Sequence, residues 1–141
     1  MLATDLGPAS AAATEQAIEI AARLGARLLV TSVVGPGLRD GDGSERRIDQ
    51  LRAGREAGVQ AVVKDARAMG ADATFLVWEG EPGEAIVSAA EAESVDLIVV
   101  GSHGRGRVGR FLVGSVSDFI VRHASCPVLV VRGESDPRRA S

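Results

Sequence analysis

Two kinds of apolar pattern alternate along the chain. Short runs rich in Val, Leu and Ile occupy Leu28–Val34, Ala73–Trp78, Asp96–Val100 and Val128–Val131. Most are apolar at nearly every position and shorter than typical helices, as expected of parallel strands buried on both faces. Met1–Thr4 predicts a short first strand. Between the runs, apolar residues recur at helical spacing. Ala13, Ala17, Ile20, Ala21 and Leu24 trace one face, and Gly25 follows as a stop signal. Ile48, Leu51, Val59, Val62, Ala66 and Met69 trace a longer helix from about Ser44 to just before Gly70, although Gly54 and Gly58 weaken its propensity. Ile86, Ala89 and Ala90 mark a third helix, entered through Glu81-Pro82-Gly83, and a fourth spans Ser115 to His123. The order β-α-β-α-β-α-β-α-β predicts an α/β fold: an open five-stranded parallel sheet with helices on both faces. One domain over residues 1–132 is expected. Residues 35–43 form a glycine-rich loop, and the polar residues 133–141 a flexible C-terminal tail.

Composition narrows the function classes. The chain has 141 residues, enough for one domain with a sizeable core. Its net charge of -3 offers no overall drive toward nucleic acid or an anionic membrane. Aromatic residues are 3%, too few for a base-stacking surface. No apolar run reaches the length of a membrane span, and Met1–Asp5 begins no secretory signal pattern. A cytoplasmic location is the default expectation. The single cysteine, Cys126, cannot form an internal disulfide, and no Cys/His cluster has zinc spacing. It reads as a small hydrophobe at a strand start.

Ligands of open parallel sheets bind at the carboxyl ends of the strands, where strand order reverses. The fourth strand runs into Gly101-Ser-His-Gly104-Arg-Gly-Arg-Val-Gly-Arg110, whose glycines allow tight turns and expose N–H groups to an anion. Gly114-Ser115 then opens a helix whose N-terminus favours phosphate. Ser115 and Asp118 have the spacing of a capping box. Gly104-Arg-Gly106-Arg-Val-Gly109 matches the dinucleotide pattern but is followed by no helix and strand at the required distances. Gly109 to Ser115 resembles a P-loop but lacks the Lys before Ser. Arg105, Arg107 and Arg110 either neutralise phosphate or are solvated loop charges. His103 has no nucleophile or carboxylate at a telling spacing and reads as a turn residue.

Gly101, two residues, Gly104, nine residues, Gly114 and Ser115 resemble the G-2x-G-9x-G-(S/T) motif of the universal stress proteins. The resemblance extends over nearly the whole chain. It takes in Ala3-Thr4-Asp5, Gly80 to Pro82, Asp96 to Gly104, and Ser125-Cys-Pro-Val-Leu-Val-Val131. It implies strand order 3-2-1-4-5 and ATP, or ADP or AMP, bound between the first and fourth strands, with Mg²⁺ as a possible companion of the nucleotide. The positions it implies for the site are Asp5 against the nucleoside, Val33 and Val100 against adenine, and Gly101, Gly104, Gly114 and Ser115 against ribose and phosphate. It also implies a homodimer paired along Val128–Val131. Asp5 is followed by Leu6-Gly7-Pro8-Ala9-Ser10, where relatives often carry Gly-Ser. The expected function is binding of an adenine nucleotide as a regulatory ligand, with little or no hydrolysis and no catalytic residue or metal site assigned. The alternatives are a same-fold interaction module that binds no nucleotide, and a slow ATPase using His103 and the loop arginines.

Overall fold

The computed structural model describes residues 1–35, 44–102 and 114–133. Its strands are β1 (Leu2–Ala3), β2 (Arg27–Val34), β3 (Asp72–Glu79), β4 (Ile98–Ser102) and β5 (Val128–Arg132), and its helices α1 (Ala11–Leu24), α2 (Ser44–Ala68), α3 (Pro82–Ala92) and α4 (Ser115–His123). All pairings are parallel and the order is β3-β2-β1-β4-β5. The predicted α/β architecture and strand order are those observed.

β1 is two residues long yet central. Leu2 pairs with Val30 on one side and Val99 on the other, and Ala3 with Thr31 and Val100. Thr4 prolongs the pairing by donating its N–H to the Thr31 carbonyl at 2.9 Å. The strand is short because Leu6, at φ 64°, turns the chain out of the sheet.

The sheet separates two apolar layers. Leu2, Leu28, Val30 and Val99 pack on one face with Ala13, Ala17 and Ala21 of α1 and Val59, Val63 and Ala66 of α2. Ala3, Val33, Ile98 and Val100 pack on the other with Ile86, Ala89 and Ala90 of α3 and Ile120 of α4. Alternate strand residues serve opposite layers, which is why the strands read as nearly continuous apolar runs. Burying side chains such as Leu2, Ile98 and Ile120 contributes about 1.5–3 kcal/mol each.

Four local expectations change. The fourth strand is displaced two residues onward, because Gly101 pairs with Val131 and Ser102 with Arg132. Gly101 therefore ends a strand rather than starting a loop. A Cβ on it would sit 3.3 Å from the Ala9 carbonyl oxygen, so its lack of a side chain admits the short 3-10 turn Pro8–Ser10 over the sheet edge. In α1 the buried stripe is alanine, whereas Leu24 is 75% exposed, since Gly25 ends the helix beyond the sheet. Met69 lies past the end of α2 and Leu51 on its outer side, and both are exposed. The Ser115–Asp118 capping box does not form. Gly114 is the N-cap without a side-chain bond, Ser115 is the first helical residue, and Asp118 pairs with Arg122 at 3.0 Å. A carboxylate one turn from an arginine on an exposed face has a nearer partner than the helix start. The loop 36–43, His103, Gly104, the three loop arginines and the tail 134–141 lie outside the described residues.

Candidate functional site

The turn after β1 is built from its own polar side chains. Gly7 N–H donates to Asp5 Oδ1 at 2.8 Å, closing an Asx turn. Leu6 N–H donates to Thr4 Oγ1 at 3.0 Å. Ser10 Oγ donates to the Gly7 carbonyl at 2.9 Å, which uses its only proton. The Thr4 hydroxyl, 2.9 Å from Ser10 Oγ, is therefore the donor in that pair. The buried Thr4 and Ser10 hydroxyls are thereby satisfied, and the turn holds the Asp5 carboxylate at the carboxyl end of a central strand.

Helix α2 grips this turn from the side. Arg55 Nη1 donates to the Asp5 carbonyl and lies 3.4 Å from Ser32 Oγ. One turn along the same helix, Gly58 receives the side chain of Leu6. A Cβ on Gly58 would stand 2.3 Å from Leu6 Cδ1. The Asp5 main chain and the Leu6 side chain are thus tied into α2.

A cavity of about 270 Å³ opens at the carboxyl ends of the strands. Asp5, Val33, Val100 and Gly101 all line it, so four of the seven predicted positions converge. Gly114 and Ser115 are not among its lining residues, but the adjacent Val116 is. Gly104 lies outside the described residues. Among the described residues, the lining contains no aromatic ring, and its apolar side chains are all aliphatic. A planar base here would meet Val33, Val100 and Ile86, with polar contacts from the Asp5 turn and Ser102. A second cavity, about 750 Å³, lies between α1 and α2 over Ile18, Val62 and Met69. It is the roomier space and shares Thr4 and Ser10 with the first, but Val33, Val100 and Gly101 do not line it.

Phosphate chemistry is available beside the first cavity. Gly114 accepts the N–H of Asp118 at 2.8 Å and the hydroxyl of Ser117 at 3.0 Å. The N–H groups that precede Asp118 in α4 have no helical acceptor, and Ser115 is exposed at their head. Such a terminus carries partial positive charge.

Arg55, Pro82 and Ile86 line the cavity and were not singled out from sequence. A signal for Arg55 exists. Arg52, Arg55, Val59, Val62 and Ala66 fall at helical spacing on one stripe, so two arginines continue an apolar face. Both are half-buried, and Arg52 also reaches the sheet, donating to the Val77 carbonyl at 3.2 Å and to Glu79.

The universal stress protein family profile matches residues 1–132. The chain belongs to the universal stress protein family. The Methanocaldococcus jannaschii universal stress protein MJ0531 is 35% identical over 137 residues, covering 94% of this chain and 80% of that protein. A Thermus aquaticus universal stress protein is 51% identical over 57 residues, a match that covers 40% of this chain and 42% of that protein. Among solved structures, the Lactobacillus plantarum protein UspA superposes with a TM-score of 0.82 at 27% identity, covering 93% of this chain and 95% of that one. A universal stress protein crystallised in complex with cAMP superposes with a TM-score of 0.73 at 28% identity, over 94% of each chain. Among the described residues, no helix is long and apolar enough to cross a membrane.

Proposed function

We propose that this universal stress protein binds an adenine nucleotide as a regulatory ligand in the cleft between β1 and β4. The observation that carries the reading is the convergence of Asp5, Val33, Val100 and Gly101 on one cavity at the point where strand order reverses. The cAMP complex of a relative of the same fold supports the adenine choice. Asp5 accepts hydrogen bonds from the nucleoside, Val33 and Val100 flank the base, and Gly101 permits close backbone approach. Gly104, Gly114 and Ser115 meet the phosphates, with the free N–H groups of α4 as donors. ATP, ADP and AMP are the candidates, and Mg²⁺ would arrive with the polyphosphate. Among the described residues, the one carboxylate lining the cavity is Asp5, which this reading sets against the nucleoside and not the γ-phosphate, and that favours retention of the ligand over turnover. The protein acts in the cytoplasm as a homodimer joined along Val128–Val131.

Titration calorimetry with ATP, ADP, AMP and cAMP, with and without Mg²⁺, tests the site. One saturable event per chain is expected for at least one of them. Absence of heat at millimolar concentration of all four overturns the reading and favours a same-fold interaction module. Phosphate release from ATP is expected to be no faster with the wild type than with His103→Ala; a clear difference revives the slow ATPase.

A further inference from the structure

Arg55 is an arginine on the sheet-facing stripe of α2. Its Nη1 donates to the Asp5 main chain, and the Asp5 side chain accepts from Gly7 N–H. Its guanidinium has no carboxylate partner among the described residues, and it lines the same cavity as Asp5. Three residues on, Gly58 leaves space for Leu6, whose left-handed backbone carries the turn away from β1. Helix α2 therefore holds both sides of the peptide unit that presents Asp5. The contact at Arg55 is charge-assisted, and such bonds are roughly twice as strong as neutral ones. A left-handed Leu is a conformation that persists only when its surroundings hold it there.

We propose that Arg55 is a positioning residue of the cleft: by fixing the main chain at Asp5, it sets the carboxylate that meets the ligand and couples the occupied site to α2. This rests on the adenine-nucleotide reading above. Arg55 acts on the nucleoside end of the ligand, because its contacts are with residues 5 and 32 and not with α4. The number of phosphates is then immaterial to its contribution. Arg52 provides an internal control. It joins the same helix to the sheet one turn earlier, through Val77 and Glu79, and lines neither the cavity nor the Asp5 turn.

The test is a double-mutant cycle of Arg55→Ala and Asp5→Asn, with Arg52→Ala and Arg55→Lys alongside, read by affinity for adenosine, AMP and ATP. Arg55→Ala is expected to weaken all three by the same factor, about tenfold, as for a lost hydrogen bond to a charged group. The double variant is expected to bind no more weakly than the worse single variant. Arg55→Lys should recover part of the loss, and Arg52→Ala should leave affinity unchanged. Losses that multiply in the double variant overturn the proposal. So does a loss that grows with phosphate number, or an equal loss in Arg52→Ala. A ligand-free readout separates this inference from the nucleotide reading. The Gly7 amide should exchange its hydrogen faster in Arg55→Ala than in wild type or Arg52→Ala. Unchanged exchange overturns the positioning role even where nucleotide binds. Failure of the wild type to bind any of ATP, ADP, AMP and cAMP overturns the nucleotide reading, and the Gly7 exchange then still decides whether Arg55 holds the turn.

Discussion

Gly54 and Gly58 are four residues apart in α2 and are physically opposite cases. A Cβ on Gly54 would have no neighbour within 4 Å, whereas one on Gly58 would stand 2.3 Å from Leu6 Cδ1. Alanine in an open helix interior gains about 0.5–1 kcal/mol over glycine, because the unfolded chain loses freedom. Gly54→Ala should therefore raise stability by about that amount. At Gly58 the same gain is set against overpacking, which typically costs about 1–3 kcal/mol, so Gly58→Ala should lower stability. Urea unfolding of both variants checks the pair of signs, and Gly58→Ala should be milder in a Leu6→Ala background than in the wild type. A stabilised Gly58→Ala protein would show that Leu6 has no fixed seat there. Sequence treats the two glycines alike, as weak points in one helix. What separates them is a contact with residue 6, more than fifty positions earlier, and no local pattern carries that information.

Helix existence was legible because apolar residues at helical spacing are a local property; which face is buried depended on neighbours. In α1 the sheet accepts the alanines and leaves Leu24 in solvent. In α4 the capping pattern at Ser115 and Asp118 gave way to the ion pair between Asp118 and Arg122. The result leaves the start of α4 without a carboxylate bonded to it among the described residues, and Gly114 is an N-cap with no side-chain bond. That is a poor arrangement for an isolated helix and a good one for a helix that receives phosphate. The two demands can be set against each other at one residue. Ser115→Asp places a negative charge in the first turn, which favours the dipole by about 0.3–1 kcal/mol. The expected outcome is a protein at least as stable to heat that binds ATP more weakly, with adenosine affinity little changed. Calorimetry on the two ligands together with thermal unfolding decides it. Equal losses for ATP and adenosine would place the phosphates elsewhere. Asp5, Val33, Val100 and Gly101 are positions that the family resemblance names from sequence, and they line one cavity because strand ends in a parallel sheet meet along one edge. Arg55 was not, because its role depends on the register of α2 against that edge.

At the scale of the whole molecule the sheet has two edges, β3 and β5, and they are not equivalent. β3 is eight residues long, carries Asp72 and Glu79 at its ends, and is flanked by Arg27 and Arg52, which pair with those carboxylates. Charges of this kind discourage further pairing. β5 reads Val-Leu-Val-Val before Arg132, and Leu129 is 37% exposed while belonging to neither core layer. Among the described residues no strand pairs with its outer side, and an apolar edge strand of this kind is a template for association. Two copies related by a two-fold axis would pair β5 with β5 in antiparallel sense and continue one sheet across both chains. Such a dimer would form at the edge of the sheet opposite β3 and would leave α2, which packs on the β2 side, accessible. Leu129→Lys tests the arrangement with little risk to the fold, since the side chain leaves no cavity in either core layer. Sedimentation at micromolar concentration should show a dimer for the wild type and a monomer for Leu129→Lys, with the same helix content by circular dichroism. A wild-type monomer, or a Leu129→Lys dimer, would mean that β5 is not the contact. Nucleotide affinity should survive the change, because none of the described residues that line the cleft belongs to β5.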